Sequence, residues 1–180
     1  MKGIIVHKGK YGATRQYAEW LGAELKLPVQ PADDLTKEKL LLFDYIITGS
    51  SVYVGKLLIK KWLKQNSVLL GGKKLFLFIV CGTPESEPAK QQDIIKRNVP
   101  ASLLDSQNIF FLPGRLVKQK LSWKDALILR LGGWVEKDPV KKKAMLSDID
   151  GVKIENLSNI IESVRKFTSG TAKLSSAEAL

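Results

Sequence analysis

Four runs along the chain are nearly continuously apolar: Gly3–His7, Tyr45–Gly49, Lys74–Cys81 and Asn108–Leu112. None alternates apolar with polar positions. Each is therefore predicted to be a strand covered on both faces of its sheet. A shorter stretch, Pro28–Pro31, reads as one more strand. Its prolines cannot donate to a ladder, which places it at an edge. Between these runs the period changes to that of a helix. Tyr17, Ala18, Leu21 and Leu25 share one face, as do Leu58, Ile59, Trp62 and Leu63. A third helix is expected within Glu87–Arg97. The last pattern is the clearest, with Leu157, Ile160, Ile161, Val164 and Phe167 at helical spacing.

Strand and helix thus alternate, which predicts an α/β fold: a parallel sheet with right-handed crossovers and helices on both faces. Five strands suit the doubly wound order 2-1-3-4-5. Ligands of such sheets bind beyond the carboxyl ends of the strands, at the switch point in strand order. The loops after the first, third and fourth strands are therefore the ones to read for chemistry. One interval does not fit the alternation. Residues 116–140 separate the fifth strand from the final helix and are too many for an ordinary connection.

The first loop is Lys8-Gly9-Lys10-Tyr11-Gly12-Ala13-Thr14. Its glycines allow tight turns and close approach of a ligand to the backbone. The helix that follows aims unpaired amides and a positive dipole end at the loop, an arrangement suited to an anion. It is neither the Gly-Lys-Ser/Thr phosphate loop nor Gly-x-Gly-x-x-Gly. Taken alone it reads equally well as a plain glycine turn or a phosphate cradle. The second loop, Thr48 to Lys56, has small residues (Gly49, Ser50, Ser51) followed by Val52, Tyr53, Val54 and Gly55. Tyr53 is either an ordinary exposed turn residue or a ring on which a flat ligand stacks. The third loop, Cys81 to Lys90, leaves its strand through Cys81, Gly82 and Thr83. Each loop has a bland reading. Three of them at the predicted ligand edge of one sheet are a much stronger signal of a binding site.

The first two of these loops carry a resemblance. "KGKYGATR" resembles the longer form of the phosphate loop of the flavodoxins, and "GSSVYVGK" resembles their second flavin loop. Lys8 departs from that pattern, standing where the family usually has Ser or Thr. The resemblance implies a flavodoxin-like three-layer sandwich with FMN as cofactor. It places Lys10, Tyr11, Gly12, Ala13 and Thr14 around the phosphate, and Ser50, Ser51, Val52, Tyr53, Val54 and Gly55 along the ring, with Tyr53 stacking. Cys81, Gly82 and Thr83 sit where the third loop belongs. Together with "FFLPGRL" and "SWKDALILR" further on, the chain is most similar to the branch that contains the menaquinone-dependent protoporphyrinogen dehydrogenases. That branch implies a porphyrinogen substrate and a quinone acceptor. The alternative is an electron carrier that serves protein partners and has no small-molecule substrate.

Charge adds a constraint on partners. With 29 basic against 18 acidic residues, the net charge is +11. Such a field attracts an acidic partner, a phosphorylated ligand or an anionic surface. No nucleic-acid motif accompanies it, so the expected partners are an acidic redox protein or the small molecules above, with a homodimer left open. One cysteine, Cys81, excludes an intrachain disulfide, and one histidine, His7, leaves no histidine-cluster metal site. No apolar run reaches the ~18 residues of a membrane span, and the chain opens directly into a strand. The expected location is the cytoplasm, peripheral contact with the inner face of the membrane being compatible with the charge. The domain is expected to span residues 1–170, with a loosely ordered tail at 171–180.

The interval 116–140 has a character of its own. From Arg115 to Arg130, the cations Arg115, Lys118, Lys120, Lys124 and Arg130 stand against a single acid, Asp125. Trp123, Leu127, Leu131 and Trp134 recur at helical spacing. Three placements fit: packed on the domain or on a second subunit, laid over the cofactor as a lid, or set in a membrane interface.

Overall fold

The computed structural model describes residues 1–83, 86–104, 107–135 and 147–177. Pro84 of the third loop, the end of the 116–140 interval and residues 178–180 lie outside the described residues. Five strands run parallel: β1 (Gly3–Lys8), β2 (Val29–Pro31), β3 (Tyr45–Tyr53), β5 (Lys74–Cys81) and β6 (Gln107–Pro113). Their order is β2-β1-β3-β5-β6, and β4 (Lys56–Leu57) folds back antiparallel on the end of β3. Without that hairpin strand, this is the 2-1-3-4-5 order expected, with the proline-bearing β2 at an edge.

Alternate side chains of the strands enter opposite cores. On one face Ile4, Val6, Ile46, Leu75, Leu77 and Ile79 pack with α3 (Lys60–Gln65), α4 (Ser67–Gly71) and α5 (Pro88–Asn98). On the other, Ile5, Ile47, Phe76, Phe78 and Val80 pack with α1 (Ala13–Leu25) and α7 (Ser158–Ala177). The continuous apolar runs thus arise because both sheet faces are buried. A short helix, α2 (Lys37–Leu41), capped by the Thr36 hydroxyl, crosses before β3.

The two-sided core is pinned near the ligand edge by Tyr17. Its hydroxyl donates to the Pro113 carbonyl at 3.0 Å and accepts from Asn156 Nδ2 at 2.8 Å. One ring thereby joins α1, the end of β6 and the approach to α7. Burial raises the Tyr17 phenol pKa, so the group stays protonated and able to donate.

Two expectations need correction. The stretch read as the second loop is mostly strand, because β3 sits between β1 and β5 and its ladder continues to Ser50 and Ser51. The helix expected around Leu58–Leu63 begins at Lys60 and is interrupted at Asn66. The last helix is described as far as Ala177. The interval after β6 starts with β7 (Arg115–Leu116) and contains α6 (Trp123–Val135). β8 (Ile149–Asp150) pairs antiparallel with β7, and Arg115 Nε meets Asp150 Oδ2 at 2.7 Å. The insertion therefore leaves and rejoins the domain at one place, beyond the carboxyl end of β6.

Candidate functional site

The loop between β1 and α1 is built to leave donors free. The first helical bond of α1 runs from the Gln16 amide to the Gly12 carbonyl. The amides of Ala13, Thr14 and Arg15 precede that ladder. Gly12 takes the N-cap position at φ 86°, no side chain caps the helix, and its first turn holds no acid. Thr14 is buried, and its Oγ1 has no hydrogen-bond partner. A Cβ on Gly9 would lie 2.7 Å from Thr14 Cβ and Oγ1, so glycine there is what lets the loop close on that hydroxyl. A buried unpaired hydroxyl costs ~1–3 kcal/mol. Its position beside unpaired amides suits an anionic group with several oxygens.

The cations near this loop are each paired with a carboxylate. Lys8 pairs with Asp33 at 2.6 Å, Arg15 with Glu19 at 2.7 Å and Lys10 with Asp125 at 2.6 Å. The attraction for an anion therefore comes mainly from backbone amides and the helix dipole. His7, at the end of β1, has its pKa lowered by burial and then by Arg15, which keeps it neutral at pH 7.

The second element is the end of β3. Residues Ser50 and Ser51 point to opposite faces. Ser50 is fully buried, and its Oγ accepts from the Ile59 amide at 3.2 Å, so this hydroxyl serves the chain and is not free for a ligand. Ser51 Oγ is buried without a partner, like Thr14 Oγ1. Val52 joins the core beneath. Val54 and Gly55 then turn the chain, both at positive φ (47° and 72°). That geometry makes a two-residue hairpin whose twist matches its strands. For a β-branched residue such as Val54, 66% exposed, it is strained. The hairpin is held from below by Asn98 at the end of α5. Its Nδ2 donates to the Gly55 carbonyl at 2.9 Å and its Oδ1 accepts from the Leu57 amide at 3.1 Å.

The third element leaves β5 through Cys81, Gly82 and Thr83. A Cβ on Gly82 would meet nothing within 4 Å, so the backbone is open there. Burial raises the Cys81 thiol pKa. A protonated, half-buried thiol is a poor nucleophile, in keeping with a wall residue.

The insertion completes the site. Ser122 Oγ accepts from the Asp125 amide at 3.3 Å and starts α6. Asp125, 6% exposed, turns inward. Its Oδ1 accepts from the Tyr53 hydroxyl at 2.5 Å and from Lys10 Nζ at 2.9 Å. Lys10 Nζ also sits 4.1 Å from the centre of the Tyr53 ring and 5.5 Å from that of Tyr11. The Lys10 pKa is raised, first by its hydrogen bond to Asp125. Trp123 and Leu127, 74% and 50% exposed, face outward, and Lys124 and Arg130 are exposed beside them. The side chains of Leu131 and Trp134 lie outside the described ones.

The first and second loops therefore meet, and Cys81–Thr83 follow the neighbouring strand. Sequence reading assigned Ser50 a ligand role, and its Oγ accepts from the Ile59 amide. It missed Asn98 and Asp125. Asp125 did stand out as the one acid among five cations, but no local pattern says which way it points.

The site can be set beside known proteins. Three solved structures are similar to part of this chain. A flavodoxin from the domain Archaea is 20% identical, with TM-score 0.45, covering 71% of this chain and 90% of that one. An NADPH-quinone reductase from P. pentosaceus is 14% identical, with TM-score 0.47, covering 77% and 99%. A flavoprotein from Lactobacillus acidophilus, solved in complex with FMN, is 17% identical, with TM-score 0.43, covering 63% and 92%. No curated protein matches the sequence. The profile of the flavodoxin domain family matches residues 4–143, and the chain belongs to that family.

Proposed function

We propose that the protein binds FMN and is an oxidoreductase that passes electrons between a porphyrinogen and a quinone. One observation carries the cofactor: Thr14 Oγ1 and Ser51 Oγ are both buried without partners, at the ends of neighbouring elements, beside the unpaired amides of α1. Ala13, Thr14 and the Gly12 turn would hold the phosphate. Ser51, Tyr53 and the open backbone of Gly82–Thr83 would border the ring. Bound there, FMN supplies the one- and two-electron chemistry. The chain's own part is to bind the flavin, orient it and keep water from it.

The test is direct. The purified protein is expected to show a flavin absorption spectrum, or to take up added FMN in a calorimeter with one-to-one stoichiometry. A colourless protein that releases no heat on FMN addition ends this reading.

The substrate assignment rests on the branch resemblance and on α6. A carrier benefits from an exposed flavin edge, whereas here the insertion reaches across to Tyr53 and Lys10. That favours an enzyme over a carrier. Reoxidation of the reduced protein is expected to be faster with a menaquinone analogue than with oxygen in a stopped-flow mixer. Equal indifference to both would favour the carrier.

The outward face of α6 suggests where the protein works. Trp123 and Leu127 form an apolar strip edged by Lys120, Lys124 and Arg130, and the only acid of the segment is turned inward. Such a face suits the inner, anionic surface of a membrane that carries quinone. The protein is expected to sediment with phosphatidylglycerol vesicles and not with phosphatidylcholine vesicles, and Trp123→Ser is expected to weaken that binding. Equal retention of both proteins would remove the membrane from the proposal.

A further inference from the structure

We propose that Asp125 is the residue through which the insertion takes part in the cofactor site: it holds the Lys10 ammonium on the Tyr53 ring and the Tyr53 hydroxyl at once, and so sets both the surface and the charge that the flavin meets. The inference rests on the flavin reading above and adds to it a positioning residue 115 positions along the chain from Lys10.

Three features support it. First, Asp125 is placed with purpose: Ser122 fixes the helix start three residues before it, and the carboxylate is 6% exposed while its neighbours Trp123, Lys124 and Leu127 face outward. A buried carboxylate is costly unless its charge is matched; Lys10 Nζ, hydrogen-bonded to Oδ1 at 2.9 Å, lies 2.6 Å from Oδ2 and matches the charge, although Oδ2 itself accepts no hydrogen bond. Second, both of its partners come from the loops that bear the cofactor residues. No other acid is given a bond to either of them in the described residues. Third, Tyr53 stands on a strained hairpin, next to Val54 at φ 47°. Left alone, its ring would have several orientations. The hydroxyl bond to Asp125 and the ammonium over the ring leave it one.

Electrostatics gives the proposal a signature that a merely structural contact lacks. Full reduction of a flavin adds negative charge to the ring. A carboxylate beside Tyr53 opposes that and an ammonium favours it. Asp125→Asn removes the first, and Lys10→Met removes the second. Their effects on the midpoint potential are therefore opposite in sign, upward for Asp125→Asn and downward for Lys10→Met. On affinity they act in the same direction, because each releases the ring. Riboflavin, which has no phosphate, isolates this part of the site. Each variant is expected to bind it about ten-fold more weakly. The double variant is expected to lose little beyond either single one and to return toward the wild-type potential.

The experiment measures riboflavin and FMN dissociation constants and the midpoint potential for the four proteins, with a thermal melt of each. In the flavin-free protein, the Lys10 resonance after reductive methylation is expected to titrate lower in Asp125→Asn than in wild type. Opposite potential shifts with coupled affinities support the proposal. Wild type that binds flavin while Asp125→Asn leaves potential and affinity unchanged overturns it and spares the cofactor reading. Shifts of the same sign in both single variants also overturn it, since they would report loosened structure. Wild type that binds neither riboflavin nor FMN overturns the cofactor reading, and this proposal with it. Lys10→Met leaves a buried carboxylate unmatched. If that variant does not fold, Asp125→Asn decides alone.

Discussion

Replacing Thr14 with valine is expected to leave the flavin-free protein as stable as before, or more so, while lowering FMN affinity ~10–100-fold. The two side chains have the same shape and the same branching at Cβ, so packing and helix propensity hardly change. What is lost is Oγ1, which is buried and has no partner in the protein. A hydroxyl in that state costs ~1–3 kcal/mol relative to one that is bonded, and removing it relieves the cost. A bond from the same hydroxyl to a phosphate oxygen is worth ~1.5–3 kcal/mol, and each ~1.4 kcal/mol is ten-fold in affinity. Stability and binding therefore move in opposite directions. Thermal melts and FMN titrations of the two proteins measure both, and riboflavin serves as the control because it lacks the phosphate and should bind equally. Unchanged FMN affinity in the valine variant would place the phosphate elsewhere.

The same residue shows how much could be read without coordinates. The placement of Thr14 was legible because it is local: glycines, a strand before, a helix after. So was the strand order, since apolar runs and helical stripes alternate in a chain whose sheet is covered on both faces. Tyr53 was legible as an aromatic at the carboxyl edge of the sheet. Its hairpin was not, because two-residue turns of this kind usually announce themselves with Asn-Gly or Asp-Gly, and here the pair is Val54-Gly55. Ser50 was ambiguous for a related reason. A small polar residue at a strand end looks the same whether it meets a ligand or, as here, the Ile59 amide.

Charge was the least legible property. A net charge of +11 says nothing of how the cations near the first loop are paired. Lys8, Lys10 and Arg15 each have a carboxylate within 2.7 Å. Of these only the Arg15–Glu19 pair, four positions apart on one helix, follows from spacing. The Lys10–Asp125 pair joins the first loop to an insertion more than a hundred residues away, and only the way the insertion leaves and rejoins at β7 and β8 brings the two together. Composition gives the sum of the charges. Where the field acts depends on contacts that are not local.

The largest loss of stability is expected from Gly49→Ala, a change of one methyl group. Gly49 lies opposite Phe78 in the β3–β5 register. A Cβ there would fall 2.0 Å from Phe78 Cζ and 2.5 and 2.6 Å from its Cε atoms. The ring cannot swing away freely. It is fully buried, and behind it Tyr17 stands edge-on at 6.5 Å between centroids, itself fully buried. Tyr17 is in turn fixed by the Pro113 carbonyl and Asn156. The strain is therefore transmitted, and overpacking of this kind costs ~1–3 kcal/mol, with the upper end fitting a contact this short. For a chain of this length each kcal/mol lowers the melting temperature by ~2–4 °C, so a fall of ~6–12 °C is expected. Phe78→Leu separates the cause from a general intolerance of the position. By itself it should destabilise, because a buried ring is lost. Combined with Gly49→Ala it should recover part of the loss, since the added methyl then occupies the space the ring has left. Strict additivity of the two changes would mean that the ring does not set the limit. Ser50 and Ser51 follow directly on β3, so the same shift is expected to reach the ligand edge and weaken FMN binding in the single variant, with recovery in the double.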